Sequence, residues 1–288
     1  MKEKTSSCCP LPDCTTFHQT VSDIQRSSAD EVIVTAEKTT TTGTTMKESE
    51  DNQRGVAYVL ADGKTVVLES EPSNYATGTS TGWMTWNASV VLCDYLETRV
   101  LVDQGRGNDS NNSNDSNDST RVADVSSGNG LVAVCLARLG CESVVATETT
   151  ECVELTRRNA ELNQVDDVVD VHAYYWGTGR NPCIGCHLVT MSDLLYIALR
   201  DNLKQELERT IRDLCESGSV LYFAFEQRLW EEEEEFMKML GEANGERKSL
   251  VVDKIPACDI NLARLQPVDG VEMLMWEDPP IKMYIIRC

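Results

Sequence analysis

The chain has 288 residues, of which 41% are hydrophobic, so it is long enough to bury the core of one large α/β domain or of two small ones. Its 47 acidic and 26 basic residues give a formal net charge of −21, which argues against a nucleic-acid partner because phosphate binding needs clustered Lys and Arg. Such acidity commonly serves solubility, although it would also attract a basic ligand or a lysine-bearing protein.

Residues 1–10 are polar and lack the apolar stretch of a signal peptide, and no later run is long enough to span a bilayer. We therefore expect a cytoplasmic or nuclear protein without a membrane partner. The 12 cysteines are scattered, and we expect them to be reduced. Cys183 and Cys186 precede His187, but the sequence has no second pair with this spacing, so we predict a surface turn with ordinary thiols and no metal site.

The first part of the chain predicts a tail followed by a hairpin. Residues 1–54 are rich in Ser, Thr and charge, which is typical of a disordered segment. Two apolar runs at 56–60 and 65–68 then flank Asp62 and Gly63, a strong two-residue turn signal. The sequence therefore predicts that a β-hairpin opens the folded part.

A short helix and a polar insertion follow the hairpin. Residues 88–96 have apolar side chains at three- and four-residue spacing, which predicts a helix. Residues 104–120 are mostly Asn, Asp and Ser, so they cannot bury a core and predict a flexible surface insertion. We expect this insertion to lie within a single domain that spans residues 55–288.

Beyond the insertion, strand-like and helical patterns alternate. The segments with strand composition are 122–125, 143–148, 168–175, 188–192, 219–225, 249–254 and 282–287. Alternation of this kind predicts a Rossmann-like α/β fold, with a mostly parallel sheet and helices on both faces. Ligands bind such sheets beyond the carboxyl ends of the strands, near the point where strand order reverses. We therefore expect the chemistry after the first, second and fourth of these strands.

The first candidate site is the glycine-bearing loop after residues 122–125. Gly128, Gly130 and Ala133 fit the G-x-G-x-x-G/A spacing, and an apolar helix pattern follows directly. Glu148 then closes the next strand, where a carboxylate can accept both hydroxyls of a ribose. This pattern suits a nicotinamide-dependent oxidoreductase as well as an S-adenosyl-L-methionine-dependent methyltransferase, because both bind an adenosine ribose there.

Asp124 favours the methyltransferase. It lies inside the first strand, just before the loop, where it could receive the charged amino group of the methionine moiety. Beside a pyrophosphate the same charge would be repulsive. The alternative is a solvent-facing strand residue, which fits less well with the apolar character of the rest of the strand.

The second candidate site follows the apolar strand at 188–192. Asp193 comes directly after that strand, and Tyr196 follows three residues later. These residues could form a site, or Asp193 could merely cap a helix beginning near Leu199 while Tyr196 packs in the core. Spacing alone leaves both interpretations open. Trp86 and Trp176 could sandwich an adenine, although an isolated Trp is more often a core residue.

Taken in chain order, these segments resemble the seven-β-strand protein lysine methyltransferases. The likeness covers about residues 55–288 and is carried by the segments 62–68, 82–97, 122–133, 157–163, 176–177, 193–196 and 225–228. It implies an S-adenosyl-L-methionine cofactor and methylation of a lysine side chain on a protein substrate, such as an AAA ATPase or a chaperone. A monomer is the default expectation.

The resemblance also implies roles for individual residues. It implies that the cofactor is contacted by Trp86, Ser126, Ser127, Gly128, Glu148, Trp176 and Ser192. The loop pattern adds Asp124 and Gly130 to these candidates. Asp193 and Tyr196 form the D-x-x-Y motif beside the target amine. The chain departs from the family where Ser126 replaces a usual glycine, Glu148 a usual aspartate and Asp124 a usual glutamate.

A non-catalytic binding module is the third alternative, beside the methyltransferase and the oxidoreductase. It is suggested by Ser126 and by the acidic run Glu231–Glu235. That run most simply marks a solvated helix face, and otherwise a docking surface for a basic partner.

Overall fold

A computed structural model describes residues 53–71, 74, 81–101, 121–243, 245, 247–264 and 280–288. The tail predicted at 1–54 lies outside these ranges except for its last two residues, which belong to the first strand. The insertion predicted at 104–120 lies wholly outside them. The expected domain boundaries therefore stay predictions.

The predicted hairpin is present, as strands β1 (Gln53–Val59) and β2 (Thr65–Ser70), which pair antiparallel. Gly63 adopts the left-handed conformation that the turn requires, at a φ of 84°. The turn closes because the backbone N–H of Leu60 donates to the carbonyl of Lys64 over 2.8 Å. The two-residue turn signal thus identified the hairpin correctly.

The helices lie between most of the later strands, with two short 3-10 turns near residue 260. The α-helices are α1 (Asn87–Tyr95), α2 (Leu131–Arg138), α3 (Val153–Leu162), α4 (Leu194–Arg200), α5 (Lys204–Glu216) and α6 (Trp230–Gly241). A π-helical turn, Leu96–Val100, continues α1.

The remaining strands form one sheet. They are β3 (Arg121–Val125), β4 (Ser143–Glu148), β5 (Val169–Ala173), β6 (Leu188–Ser192), β7 (Val220–Glu226), β8 (Val251–Lys254) and β9 (Ile281–Arg287). Within the described part of the chain their order is β5-β4-β3-β6-β7-β9-β8. Strands β3 to β7 are parallel, whereas β9 runs antiparallel to both β7 and β8. Strand order reverses between β3 and β6.

Helices cover both faces of the sheet, as the sequence predicts. Successive strand residues point to opposite faces, so Val122 joins a core cluster with α1, α2 and α3, while Ala123 joins a second cluster with α4, α5 and α6. Both strand residues are fully buried. The Rossmann-like fold class, the mostly parallel sheet and the amino-terminal hairpin are therefore confirmed.

Two local predictions were wrong. The helix expected near Leu199 begins at Leu194, because Leu194, Leu195 and Ala198 form an apolar face that is buried against the sheet. The turn at Cys183 and Cys186 is not a surface feature, since both thiols are buried within the second core cluster.

Two further findings concern membranes and metals. None of the helices within the described ranges is long and apolar enough to cross a membrane. Among the same residues, no three His, Cys, Asp or Glu side chains are grouped so that they could hold a metal ion.

Candidate active site

The candidate residues meet at one edge of the sheet. Strands β3, β4 and β6 are parallel, so their carboxyl ends lie side by side at the point where strand order reverses. Ser126, Thr149 and Asp193 are the residues that directly follow these three strands. These candidate residues therefore lie at the carboxyl ends of the strands, near the reversal of strand order.

The glycine loop is held in a strained conformation by strand β4. Ser126 has a φ of 56°, in the left-handed region, and Gly128 and Gly130 have φ values of 58° and 90°. The backbone N–H groups of Ser126 and Ser127 donate to the Thr147 hydroxyl and carbonyl, over 3.2 Å and 2.8 Å. A left-handed conformation costs a non-glycine residue about 1–2 kcal/mol, which these contacts help to offset.

Glu148 is buried beside this loop. One carboxylate oxygen accepts the backbone N–H of Gly128 over 3.0 Å, and the other accepts the N–H of Thr149. Gly82 lies against the same carboxylate, because a Cβ on Gly82 would come within 2.9 Å of a Glu148 oxygen. Burial raises the pKa of the Glu148 carboxyl to about 7.

Asp124 is the second buried acid, with 1% of its surface exposed. Its Oδ1 accepts the hydroxyl of Thr190 on β6 over 2.8 Å, whereas its Oδ2 is buried without a hydrogen-bond partner. Burial raises the pKa of this carboxyl, too, to about 7. The alternative of a solvent-facing strand residue is therefore wrong. A buried carboxylate oxygen without a hydrogen-bond partner beside a glycine loop makes Asp124 a candidate functional residue.

Two tryptophans border the loop and the next strand end. The indole N–H of Trp176 donates to the Ser126 hydroxyl over 2.9 Å, which holds this ring against the loop. The indole N–H of Trp86 donates to the carbonyl of Thr81 over 2.9 Å, just before α1. Both rings are half-buried, so each leaves part of its surface exposed beside the site.

Asp193 directly precedes α4, yet its side chain makes no hydrogen bond that caps this helix. The residue has a φ of 60°, and its carboxylate accepts the backbone N–H of Glu226 over 3.1 Å. Arg228 donates to both oxygens of the same carboxylate, over 2.8 Å and 2.9 Å. The interpretation of Asp193 as a simple helix cap is therefore wrong, because its side chain faces β7.

With this geometry in place, the chain can be compared with known proteins. Residues 72–243, more than half of the 288, match the family described as lysine methyltransferase. The chain belongs to the lysine methyltransferase family.

Three curated relatives of this lysine methyltransferase family member are similar over part of their length. Protein-lysine N-methyltransferase EFM6 of Saccharomyces cerevisiae is 26% identical over 165 residues, covering 51% of this chain and 64% of that protein. Protein N-lysine methyltransferase METTL21A of Xenopus tropicalis is 26% identical over 158 residues, covering 54% and 65%. Ribosomal protein L11 methyltransferase of Desulforamulus reducens is 31% identical over 115 residues, covering 40% and 30%. The chain spans less than two thirds of the length of each.

Among solved structures, the methyltransferase domain of bacterial CtHen1 is similar to this chain. The TM-score is 0.44 at 11% identity, with 59% of this chain and 90% of that chain covered. The fold assignment rests on the strand order and makes no use of this similarity.

Sequence reasoning gave no role to Arg228 or to Glu226, although both lie in the segment 225–228 that carries part of the resemblance. Arg228 follows β7, and its guanidinium lies over the rings of Tyr196 and Trp86, 5.3 Å and 5.8 Å from their centroids. It also donates to a carboxylate oxygen of Glu226 over 2.9 Å. We call Trp86, Asp193, Tyr196, Glu226 and Arg228 the Arg228 cluster. The signal in the sequence that could have identified Arg228 is its position as a basic residue just after β7, the strand beside β6.

Two of the predicted cofactor contacts, Gly130 and Ser192, make structural contacts with neighbouring elements. A Cβ on Gly130 would come within 3.2 Å of the Thr156 side chain, so close packing against α3 explains this glycine. Ser192 is the last residue of β6 and pairs with Ala224 of β7. The other predicted residues lie on the loop or near the strand ends, except for Trp86, which directly precedes α1, and Tyr196, which lies within α4.

Proposed function

We propose that the chain is an S-adenosyl-L-methionine-dependent protein-lysine N-methyltransferase. The observation that carries the proposal is the pair of buried carboxylates, Asp124 and Glu148, that flanks the glycine loop at the switch point of the sheet. Membership in the lysine methyltransferase family supports the same activity.

The residues present fit this cofactor. The orphaned Oδ2 of Asp124 can accept a hydrogen bond from an α-ammonium group, and each Glu148 oxygen has lone pairs left for ribose hydroxyls. The cofactor contacts that we propose are Trp86, Asp124, Ser126, Ser127, Gly128, Gly130, Glu148, Trp176 and Ser192. When bound, S-adenosyl-L-methionine supplies a methyl group on a sulfonium, which an amine can attack in line.

The chain's own residues would receive and orient the target amine. Lysine has an ordinary pKa of about 10.4, so its amine must lose a proton before it can act as a nucleophile. Asp193 would accept a hydrogen bond from that amine, while the rings of Tyr196 and Trp86 exclude water around it. Asp193 already accepts two hydrogen bonds from Arg228, so it is poorly placed to take the proton, and we assign that role to water.

For the substrate, we propose a protein that carries an accessible lysine. The sequence motifs resemble those of the valosin-containing-protein lysine methyltransferase, so we propose valosin-containing protein, an AAA ATPase, as the first protein to test and a chaperone as the second. We also propose a cytoplasmic or nuclear monomer that binds neither nucleic acid nor membrane. The negative charge of the chain suits a basic protein segment better than a polyanion.

Two measurements test the activity. Calorimetry should detect binding of S-adenosyl-L-methionine and no binding of NAD, because Asp124 would repel a pyrophosphate. Tritiated methyl groups should then be transferred to proteins of a cell extract. Gly128→Arg should abolish cofactor binding, because the φ of 58° at this position strains any residue with a side chain and because the long arginine side chain would extend from the loop into the proposed site.

The outcomes separate the three classes of function. Tight binding of NAD would favour the oxidoreductase. Cofactor binding without any transfer to extract, to the AAA ATPase or to chaperones would favour a non-catalytic module. Tight S-adenosyl-L-methionine binding by the Gly128→Arg variant would contradict the assignment of the loop.

A further inference from the structure

The Arg228 cluster is built around one guanidinium. Both of its terminal nitrogens donate to the Asp193 carboxylate, and they also donate to Glu226, one to its carboxylate and the other to its backbone carbonyl. The rings of Trp86 and Tyr196 lie within cation–π distance of it. Such a two-pronged contact with a planar carboxylate is specific to arginine, because a lysine ammonium is a point donor.

The surroundings of the Arg228 guanidinium stabilise its ion pair with Asp193. The Asp193 side chain is 5% exposed and the Arg228 side chain 26%. Burial lowers the pKa of Arg228, but the hydrogen bonds and negative charge of Asp193 outweigh that effect, so its pKa is raised above the ordinary value. The backbone of Arg228 is anchored as well, since its N–H donates to the buried carboxylate of Glu233 on α6.

We propose that Arg228 is a positioning residue for methyl transfer, which fixes the orientation of the Asp193 carboxylate and offsets part of its negative charge beside the target amine. The inference rests on the proposed function, because it assumes that Asp193 faces a lysine. It adds a residue that the D-x-x-Y motif does not contain.

The charge argument follows from what the reaction needs. An unpaired carboxylate beside a lysine favours the ammonium form and so raises the pKa of the amine, which lowers the fraction that can react. With Arg228 paired to it, Asp193 can still accept a hydrogen bond, and its effect on the pKa of the amine is smaller because the guanidinium offsets part of its negative charge. The other charged or titratable groups around the pair are Tyr196 and Arg200 on α4, Glu226 on β7 and Glu233 on α6.

The test compares three variants of the full chain. Arg228→Met removes both the positive charge and the two-pronged hydrogen bonding to Asp193, whereas Arg228→Lys keeps only the charge. Arg200→Met removes another cation, which lies over the Tyr196 ring. Arg200 is a matched control because it is exposed and paired with Asp201 rather than Asp193. Initial rates of tritiated methyl transfer to a dialysed cell extract are measured from about pH 6.5 to about pH 10, which spans the titration of lysine.

Arg228→Met should reduce the rate about 10- to 100-fold near neutral pH and move the acid limb of the profile up by about one pH unit. Much of the lost rate should therefore return at high pH. Arg228→Lys should reduce the rate while keeping the position of the acid limb. Arg200→Met should stay within about twofold of the wild-type protein. Calorimetry with S-adenosyl-L-methionine and a thermal melt should show that all three variants fold and bind the cofactor.

Three results would overturn the role of Arg228. One is an unchanged rate in Arg228→Met. Another is a loss by the same factor at every pH, which would indicate a merely structural role. The third is a failure of Arg228→Lys to hold the acid limb while it remains folded. A wild-type protein that transfers no methyl group would instead overturn the proposed function, and this inference with it.

Discussion

At the scale of single residues, Asp193 combines two unusual features. It holds a left-handed backbone conformation without being glycine, and its carboxylate accepts hydrogen bonds from Arg228 and from the N–H of Glu226. Asp and Asn tolerate this conformation better than other residues with a side chain. Strain of this kind persists where surrounding structure enforces it, and it is common at functional sites. The geometry therefore explains why an aspartate, rather than another acceptor, stands at this position.

Asp193→Asn should lower methyl transfer at least about 100-fold, because the amide cannot balance Arg228 and presents only one acceptor atom. Cofactor affinity should change little. Asp193→Ala should be as inactive and should also lower the free energy of unfolding by about 1–2 kcal/mol more than Asp193→Asn, because of the left-handed backbone. Transfer assays, calorimetry and chemical denaturation measure the three quantities. Wild-type turnover in either variant would remove Asp193 from the mechanism.

At the scale of elements, the glycine loop is the junction between β3 and α2, and it is braced from three sides. Thr147 of β4 binds its amides, Trp176 binds the Ser126 hydroxyl, and the Thr156 hydroxyl of α3 donates to the Gly128 carbonyl over 2.7 Å. A serine at the first left-handed position is thus accommodated by a specific partner. Its backbone strain remains.

The strain at Ser126 can be separated from its hydrogen bond. Ser126→Ala removes only the contact with Trp176, which should lower the free energy of unfolding by about 0.5–1.5 kcal/mol. Ser126→Gly also relieves the left-handed conformation, so it should be about 1 kcal/mol more stable than Ser126→Ala. Chemical denaturation of the two variants gives this difference directly. An alanine variant as stable as the glycine variant would show that the loop relaxes without cost.

The hairpin is fastened to the domain by side chains of α3. Asn159 accepts the N–H of Glu69 over 2.7 Å and donates to its carbonyl over 3.0 Å, so its amide imitates a neighbouring strand. The same side chain donates to the carbonyl of Asn129 in the glycine loop over 2.7 Å. Asn163 makes an equivalent pair of bonds with Val67. The helix therefore links the hairpin and the loop.

Asn159→Ala should lower the free energy of unfolding by about 2–3 kcal/mol, because it leaves several backbone groups without partners. It should also weaken cofactor binding, since the Asn129 carbonyl loses a contact that holds the loop. Asn163→Ala is the matched control, because it loosens the hairpin without touching the loop. Denaturation and calorimetry test both statements, and equal cofactor affinities in the two variants would contradict the link.

At the scale of the whole molecule, the switch point concentrates buried negative charge between two hydrophobic clusters. Asp124 and Glu148 both lie in the sheet interior, and burial raises the pKa of each to about 7. In the unfolded chain such groups titrate near pH 4. Between about pH 4 and pH 7 the folded protein therefore holds more protons than the unfolded chain, and its stability falls as the pH rises. A cationic ligand group at Asp124 would counteract that loss.

Asp124→Asn should remove part of this pH dependence. Relative to the wild-type protein, the ligand-free variant should be more stable at pH 8 than at pH 5, because the wild-type protein alone must ionise the buried carboxyl. Chemical denaturation of both proteins at the two pH values measures the difference. The variant should bind S-adenosyl-L-methionine more weakly. A constant stability difference across the range would show that Asp124 stays ionised in the folded protein.

The sequence by itself determined the fold class, the position of each strand to within about three residues, the hairpin and the edge of the sheet where the candidate residues lie. It could do so because these features depend on local periodicity and on a few glycines. The segment 143–148, for example, coincides with β4. It also identified Asp124 and Asp193 as the acids of interest, since each lies at the end of an apolar run.

Only the tertiary structure decided which side chains act together. Arg228 is 35 residues from Asp193, and Trp176 is 50 residues from Ser126, so no local pattern links either pair. The burial of Cys183 and the orphaned oxygen of Asp124 likewise depend on how helices close over the sheet. Periodicity specifies the face on which a residue lies, whereas partners and desolvation are set by packing between distant segments.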